Sequence, residues 1–234
     1  VIAAADQRNT HWSDWGNIDT VVRRSTDNGL TWEDPIDVID LKSQSYFSGT
    51  QSAYTIDPAM IAEDENGKNT GRVWMLVDMF QESTNGSQGT WSIKETGTGY
   101  VKVDGKDYLA LYDKDNNQYT LRGNGEVFEK DNQKTDYVVK QFEGNDEQGY
   151  HEKGDLYKSG EYVGNIYLRS TSKNNDSAPL HPTQTCYLWL SYSDDDGVTW
   201  SDPVDITPQV KADWMRFGGV GPGLGVQLKH DEEH

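Results

Sequence analysis

Apolar residues fall along this chain in short runs of four to eight, separated by stretches rich in Asp, Asn, Ser and Gly, a spacing that suits strands rather than helices. No segment carries the periodicity of a three-turn helix. Val1 to Ala5 reads as a strand, residues 9 to 17 as a polar loop, and Thr20 to Asp40 as a strand–turn–strand unit. After a Ser, Gln and Gly loop at 43 to 53, two further strands are expected, around Thr55 to Ala62 and Arg72 to Met79, joined by a turn over Glu63 to Asn69. The continuous run Val73-Trp74-Met75-Leu76-Val77 predicts a strand buried on both faces. From about Gln81 to Ser170 the pattern changes to short Tyr-rich strands punctuated by Asp104-Gly105, Asp115-Asn116-Asn117, Gly123-Asn124-Gly125, Asp131-Asn132 and Ser159-Gly160. That stretch reads as an inserted β subdomain, with 174 to 184 as the linker out of it.

One eight-residue pattern occurs twice. Ser25-x-Asp27-x-Gly29-x-Thr31-Trp32 reappears as Ser193-x-Asp195-x-Gly197-x-Thr199-Trp200, and the likeness continues through Glu33–Val38 and Ser201–Ile206. Each copy follows a strand-like run, so a whole hairpin recurs: the Ser and Asp oxygens serve nearby backbone N–H groups, Gly supplies the positive φ, and Trp folds back as an apolar plug. A recurring β unit implies a solenoid or a propeller. The expected organisation is propeller blades over 1–80, an inserted β subdomain over 81–170, and further blades over 171–234.

Composition narrows the partners. The net charge of −18 is spread without a basic tract, which argues against nucleic acid, since that needs a clustered cationic surface. Cys186 is the single cysteine, so no internal disulfide framework exists, and its apolar neighbours make it a buried strand residue. No apolar run approaches the length of a membrane span, and Val1–Asp6 lacks the charged and long apolar parts of a leader. Gly218 to Gly225 lacks phosphate-loop spacing and reads as a channel-lining loop. Asp194-Asp195-Asp196-Gly197 lacks the alternating ligands of a calcium loop, so neither metal nor cofactor is expected. His151 and His181 read as exposed, Trp214 as core, and His230 and His234 as flanks of an acidic tail.

The segment that could carry chemistry is Ala5-Asp6-Gln7-Arg8, a strand end opening into a loop with His11, Trp12, Asp14 and Trp15. On the residues alone, Asp6 is either a catalytic acid or a loop-capping carboxylate paired with Arg8.

Taken with Asp14–Asp19, Arg23-Arg24-Ser25, Ile56-Asp57, Thr70–Val73, Asp78-Met79-Phe80 and Lys211–Phe217 running into Gly221–Leu228, this pattern resembles bacterial exo-sialidases of the large Gram-positive type. In such proteins the repeated turn is called an Asp-box and marks the fold rather than the chemistry. The resemblance implies an all-β, six-bladed propeller of which this chain is a part, with a β insert, secreted or held at a bacterial cell surface. The implied partners are sialylated glycans and the remainder of the same propeller polypeptide. It implies removal of terminal sialic acid with Asp6 as general acid/base, whose pKa should be raised by partial burial. The nucleophile in that family is a tyrosine assisted by a glutamate, and three arginines clamp the sugar carboxylate.

None of the chain's own arginines matches a clamp position. The first clamp arginine is expected before Val1, and the others, with the tyrosine and glutamate, after His234, so the isolated chain is expected to be inactive. Ile56 and Asp57 match substrate-side positions, Phe80 and Phe217 positions lining the aglycone entrance, with packing or turn-capping roles as the alternatives; Arg8 is expected to orient Asp6 or its loop. The same resemblance leaves two alternatives to hydrolysis: intramolecular trans-sialidation giving an anhydro product, and sialoglycan binding without catalysis.

Overall fold

The computed structural model describes residues 1–9, 12, 14, 16–41, 52–82, 93, 95–169 and 177–228. His11, Trp15, His230, His234 and most of the loop expected at 43 to 53 lie outside them. Among the described residues the chain is all-β apart from single turns of helix.

Strands β1 (Ile2–Arg8), β2 (Ile18–Arg24) and β3 (Ile36–Ile39) form a three-stranded antiparallel sheet in that order. β1 is longer than the apolar pattern suggested, because pairing with β2 continues through Asp6↔Thr20 to Arg8↔Ile18 and the ladder hydrogen bonds outweigh the polarity of the sequence. Asp6 therefore lies within a strand and not at its end.

Strands β4 (Tyr54–Glu65) and β5 (Lys68–Phe80) form a long hairpin around Asn66 and Gly67, both at positive φ. The expected seven-residue turn shrinks to this tight one, of the kind Asn-Gly favours. In β5, Val73, Met75 and Val77 are buried whereas Trp74 and Leu76 are half-buried, so the run is covered fully on one face only.

The insert adds β6 (Tyr100–Val103), β7 (Lys106–Tyr112), β8 (Gln118–Leu121), β9 (Glu126–Glu129), β10 (Lys134–Val139), the small hairpin β11 (Gly144–Asp146) and β12 (Gly149–His151), then β13 (Asp155–Lys158) and β14 (Glu161–Asn165). Apart from the β11–β12 hairpin they join one sheet, whose other edge is β15 (His181–Pro182) on β7. Its turns use Asp104, Asn116, Asn124, Asn132 and Ser159 at φ between +49° and +69°, the left-handed region that Asn and Asp tolerate best.

The last sheet pairs β16 (Tyr187–Ser193) with β5 and with β17 (Val204–Asp205), and β18 (Gly223–Leu224) runs parallel to β4 beyond the short helix α1 (Thr207–Val210). One apolar core joins all three large sheets through Val22 and Ile39, Met75 and Val77, and Leu111, Val127 and Leu156.

The two repeated turns have the same internal bonding. Ser25 Oγ donates to Asp27 Oδ1 at 2.8 Å and accepts the Gly29 N–H at 2.7 Å; Asp27 accepts the Thr31 N–H at 2.9 Å and hydroxyl at 2.6 Å. Ser193, Gly197, Asp195 and Thr199 repeat this at 2.8, 2.8, 2.8 and 2.7 Å. Hydrogen bonds to the charged form hold Asp27 and Asp195 down to about 2. The tryptophans differ: Trp200 packs on the core, while Trp32 is 38% exposed.

Three further expectations are corrected. His151 is buried, and His181 is partly buried, held by the Ile166 carbonyl and Ser177, because the insert folds over both. Trp214 is 77% exposed, lying on the segment after α1 instead of within a sheet. The Gly218 to Gly225 segment is not among these: it is mostly exposed and includes β18, which pairs with β4.

Candidate active site

The site forms where the first sheet meets the β4–β5 hairpin. Beneath it, buried Thr20 on β2 and Thr55 on β4 share a hydroxyl–hydroxyl bond of 2.7 Å, fixing the two sheets against each other. Above that tie, β4 is irregular: pairing with β5 shifts between Ile56 and Ala59, and Asp57 stands at φ +60° before Pro58. Pro cannot donate to the ladder, and such a bulge re-aims the groups around it. Here it turns the Asp57 N–H out of the ladder and onto Asp6 Oδ1, at 3.1 Å.

Asp6 is thus held by a backbone donor on one side. On the other, Arg8 Nη2 lies 3.5 Å from Asp6 Oδ2, while Arg8 Nη1 donates to Asp14 Oδ1 at 2.8 Å and to the Trp12 carbonyl at 3.2 Å. The guanidinium is committed mainly to Asp14 and the loop, with Asp6 at the limit of contact. The Asp6 side chain is 18% exposed, enough for a reactant to reach it. Its pKa is raised, first by burial; the Asp57 N–H and Arg8 oppose the shift, while the charges of Asp57 and Asp14 reinforce it. Asp57 is raised too, again mainly by burial, with Asp14 adding repulsion. A carboxyl kept protonated above the ordinary range beside a second carboxyl fits general acid/base chemistry.

The floor is apolar. Ile18, Tyr54, Ile56, Phe80, Ile93 and Cys186 form a buried cluster of their own, with Tyr54 stacked on Phe80 at 5.0 Å between centroids. Phe217, 48% exposed, stacks on Phe80 at 6.4 Å and 12°. Of the residues singled out from sequence, Asp6, Arg8 and Asp57 come together in one hydrogen-bonded group. Ile56 and Phe80 are buried in the floor, and Phe217 caps it from the far segment.

Sequence reasoning gave no role to Asp78. It lies on β5 opposite Ile56, fully buried, with Oδ1 accepting the Val220 N–H at 2.8 Å and Oδ2 without a partner among the described residues. The signal that could have found it was a carboxylate inside the otherwise apolar run Val73–Phe80. Tyr54, whose buried hydroxyl also lacks a partner among the described residues, was missed because it reads as ordinary core.

A cleft of about 1130 Å³ lies elsewhere, lined by Tyr112, Tyr137, Arg169 and His181 among others, and includes none of these site residues. Among the described residues no group of three or more His, Cys, Asp or Glu side chains could hold a metal ion, and no helix is long and apolar enough to cross a membrane.

No family profile matches the chain. It is 30% identical, over 99% of its length and 32% of that protein's, to the anhydrosialidase of the leech Macrobdella decora. It is 25% identical to sialidase B of Streptococcus pneumoniae, over 98% of this chain and 35% of that one. Among solved structures it matches the intramolecular trans-sialidase of Ruminococcus gnavus with a TM-score of 0.74 and 28% identity, covering 99% of this chain and 50% of that one. The chain spans about a third of the length of these curated relatives, and its sheets correspond to part of a sialidase propeller.

Proposed function

We propose, since the chain belongs to the bacterial-type sialidase family, that it forms part of a catalytic propeller that cleaves terminal α-linked sialic acid from glycans. Asp6 is its general acid/base. The observation carrying this reading is the half-buried Asp6 carboxyl, raised by burial, fixed by the Asp57 N–H and still open to a reactant.

In the forward step the Asp6 hydroxyl gives its proton to the glycosidic oxygen as the bond to the anomeric carbon breaks, so the aglycone leaves as a neutral alcohol. The resulting carboxylate then takes a proton from the incoming nucleophile. Arg8 and Asp14 hold the loop beside it, and Asp57 gives its N–H to Asp6 while its own carboxyl stands on the substrate side. The two Asp-box turns keep the blades in register and do no chemistry. The carboxylate-binding arginines, the tyrosine nucleophile and its glutamate are supplied by the remainder of the same propeller polypeptide, and the intact protein acts outside the cell or at its surface.

The incoming nucleophile decides the product. Water gives free sialic acid; a hydroxyl of the sugar itself gives an anhydro product. The similarity to proteins named anhydrosialidase and intramolecular trans-sialidase favours the second as an alternative to hydrolysis. Incubating the intact polypeptide that carries this segment with α2,3-sialyllactose and weighing the products by mass spectrometry separates them. Sialic acid supports hydrolysis, and a product lighter by one water supports internal transfer. Unchanged substrate would refute catalysis and leave a sialoglycan-binding propeller.

A further inference from the structure

Asp78 is the unexplained group nearest the site. Strand residues two apart share a face, so Asp78 and Phe80 on β5 point the same way as their partners Ile56 and Tyr54 on β4, into the apolar floor. A carboxyl there is costly unless it is paired or neutral. Its one hydrogen bond among the described residues reaches 142 residues along the chain, to the Val220 N–H. The segment it catches has no slack. A Cβ on Gly219 would lie 2.7 Å from Asp78 Oδ2 and 2.3 Å from the Phe217 ring, so the backbone passes directly over the carboxyl.

We propose that Asp78 is a positioning residue for sialoside cleavage: its buried carboxyl pins the Gly218–Val220 backbone across the end of β5 and so holds Phe217 on Phe80 at the substrate face beside Asp57. The inference rests on the function proposed above. Deleting the acceptor frees the segment that carries Phe217, while Asp6 and its contacts with Asp57 and Arg8 are untouched.

The clamp is built to be uncharged. Burial is the main cause that raises Asp78 to about 7; the Asp57 charge adds to it, and the Val220 N–H opposes it. The other titratable groups around it are Tyr54 on β4 and Cys186 ahead of β16, both shifted upward by burial and by the Asp78 charge among others. Lys211 is bonded to the Thr185 hydroxyl and the Cys186 carbonyl, and its stem packs near Gly218. Once ionised, Asp78 would be a second negative charge beside Asp57, with no cation bonded to it among the described residues.

Asp78→Asn keeps an acceptor for Val220 and cannot ionise; Asp78→Ala loses the acceptor. The test measures kcat and KM on a fluorogenic aryl sialoside for wild type and both variants in the intact polypeptide, at about pH 5.5 and about pH 8, with pH values chosen to bracket the carboxyl. Asp78→Asn should match wild type within about twofold at the lower pH and lose less activity than wild type at the higher one. Asp78→Ala should raise KM by about tenfold at both, as expected for a buried N–H left without its acceptor. An Asp78→Asn profile that superposes on wild type, or a wild-type KM in Asp78→Ala, would overturn the proposal.

If wild type binds a sialic acid analogue but turns nothing over, the function proposed above fails alone. The same comparison is then read as Kd by calorimetry, and Asp78→Ala must still weaken binding by about tenfold. Neither turnover nor binding by wild type overturns both.

Discussion

Replacing Asp6 tests the chemistry with little disturbance to the fold. In Asp6→Asn the amide oxygen can still accept the Asp57 N–H, now at 3.1 Å, and Arg8 keeps its stronger contact with Asp14 at 2.8 Å, so the local scaffold survives. What disappears is the proton. General acid catalysis contributes about 10²- to 10⁴-fold, and the loss should depend on the leaving group. Lactose leaves as an alkoxide unless protonated, whereas a fluorogenic phenol leaves without help. For Asp6→Asn, kcat/KM on α2,3-sialyllactose should fall by about 10²- to 10⁴-fold, and on the aryl sialoside by far less.

The pH profiles carry the same signature. Because the Asp6 pKa is raised in the folded protein, the acid form persists above the ordinary 3.8, and wild-type activity on the lactoside declines as pH climbs through the raised value; the variant lacks that limb. Stability moves the same way. A carboxyl with a raised folded pKa contributes fully below its unfolded value and loses that contribution as pH rises, so Asp6→Asn should melt no lower than wild type at neutral pH. Equal losses on both substrates, or a lactoside kcat/KM within a few-fold of wild type, would refute Asp6 as the acid.

Four other substitutions read packing and burial. Gly219→Ala should lower stability in urea by about 1–3 kcal/mol, the usual range for overpacking, since its Cβ would meet the Phe217 ring at 2.3 Å and Asp78 at 2.7 Å; an unchanged midpoint would mean the segment lifts away freely. In the twin turns, Gly29→Ala should cost roughly 1–2 kcal/mol for its positive φ. Gly197→Ala should cost more, because its Cβ also meets Ile2 at 2.7 Å where Gly29 meets only Trp32 at 3.7 Å; equal losses by calorimetry would contradict that. Lys153 is partly buried against the Trp189 ring, with Nζ on the Gln141 and Pro203 carbonyls, and burial lowers it from 10.5 to about 8. Native protein therefore binds fewer protons than unfolded protein between those values, so stability should rise with pH across that window, by at most roughly 3 kcal/mol. Denaturation curves of Lys153→Met should lack this rise.

What could be read from sequence was local. Each Ser-x-Asp-x-Gly-x-Thr turn is closed by bonds spanning two to four residues, so its geometry is written in its own letters, and the two copies agree bond for bond. The insert's turns were legible for the same reason: a left-handed residue announces itself as Asn, Asp, Ser or Gly wherever it sits. Chemistry obeyed a different rule. Asp6 meets Asp57 across 51 residues, and Asp78 meets Val220 across 142. No periodicity records such distances, and the resemblance to a family reached Asp6 and Asp57 but left Asp78 as one more residue of a matched strand.

Burial failed from the same cause. His151 and His181 stand among polar neighbours in sequence yet are covered by the insert, whereas Trp214, the most core-like of residues by composition, stands in solvent. An isolated charge in an apolar strand is nevertheless a physical statement. Burying it unpaired costs several kcal/mol, so its presence in Val73–Phe80 already requires that something distant satisfy or neutralise it. For Asp78 both occur: a backbone N–H is brought from the far end of the chain, and burial pushes the proton affinity up to about 7. The segment around Val220 is therefore held against β5 at Asp78, opposite Ile56 and so one residue along β4 from Asp57.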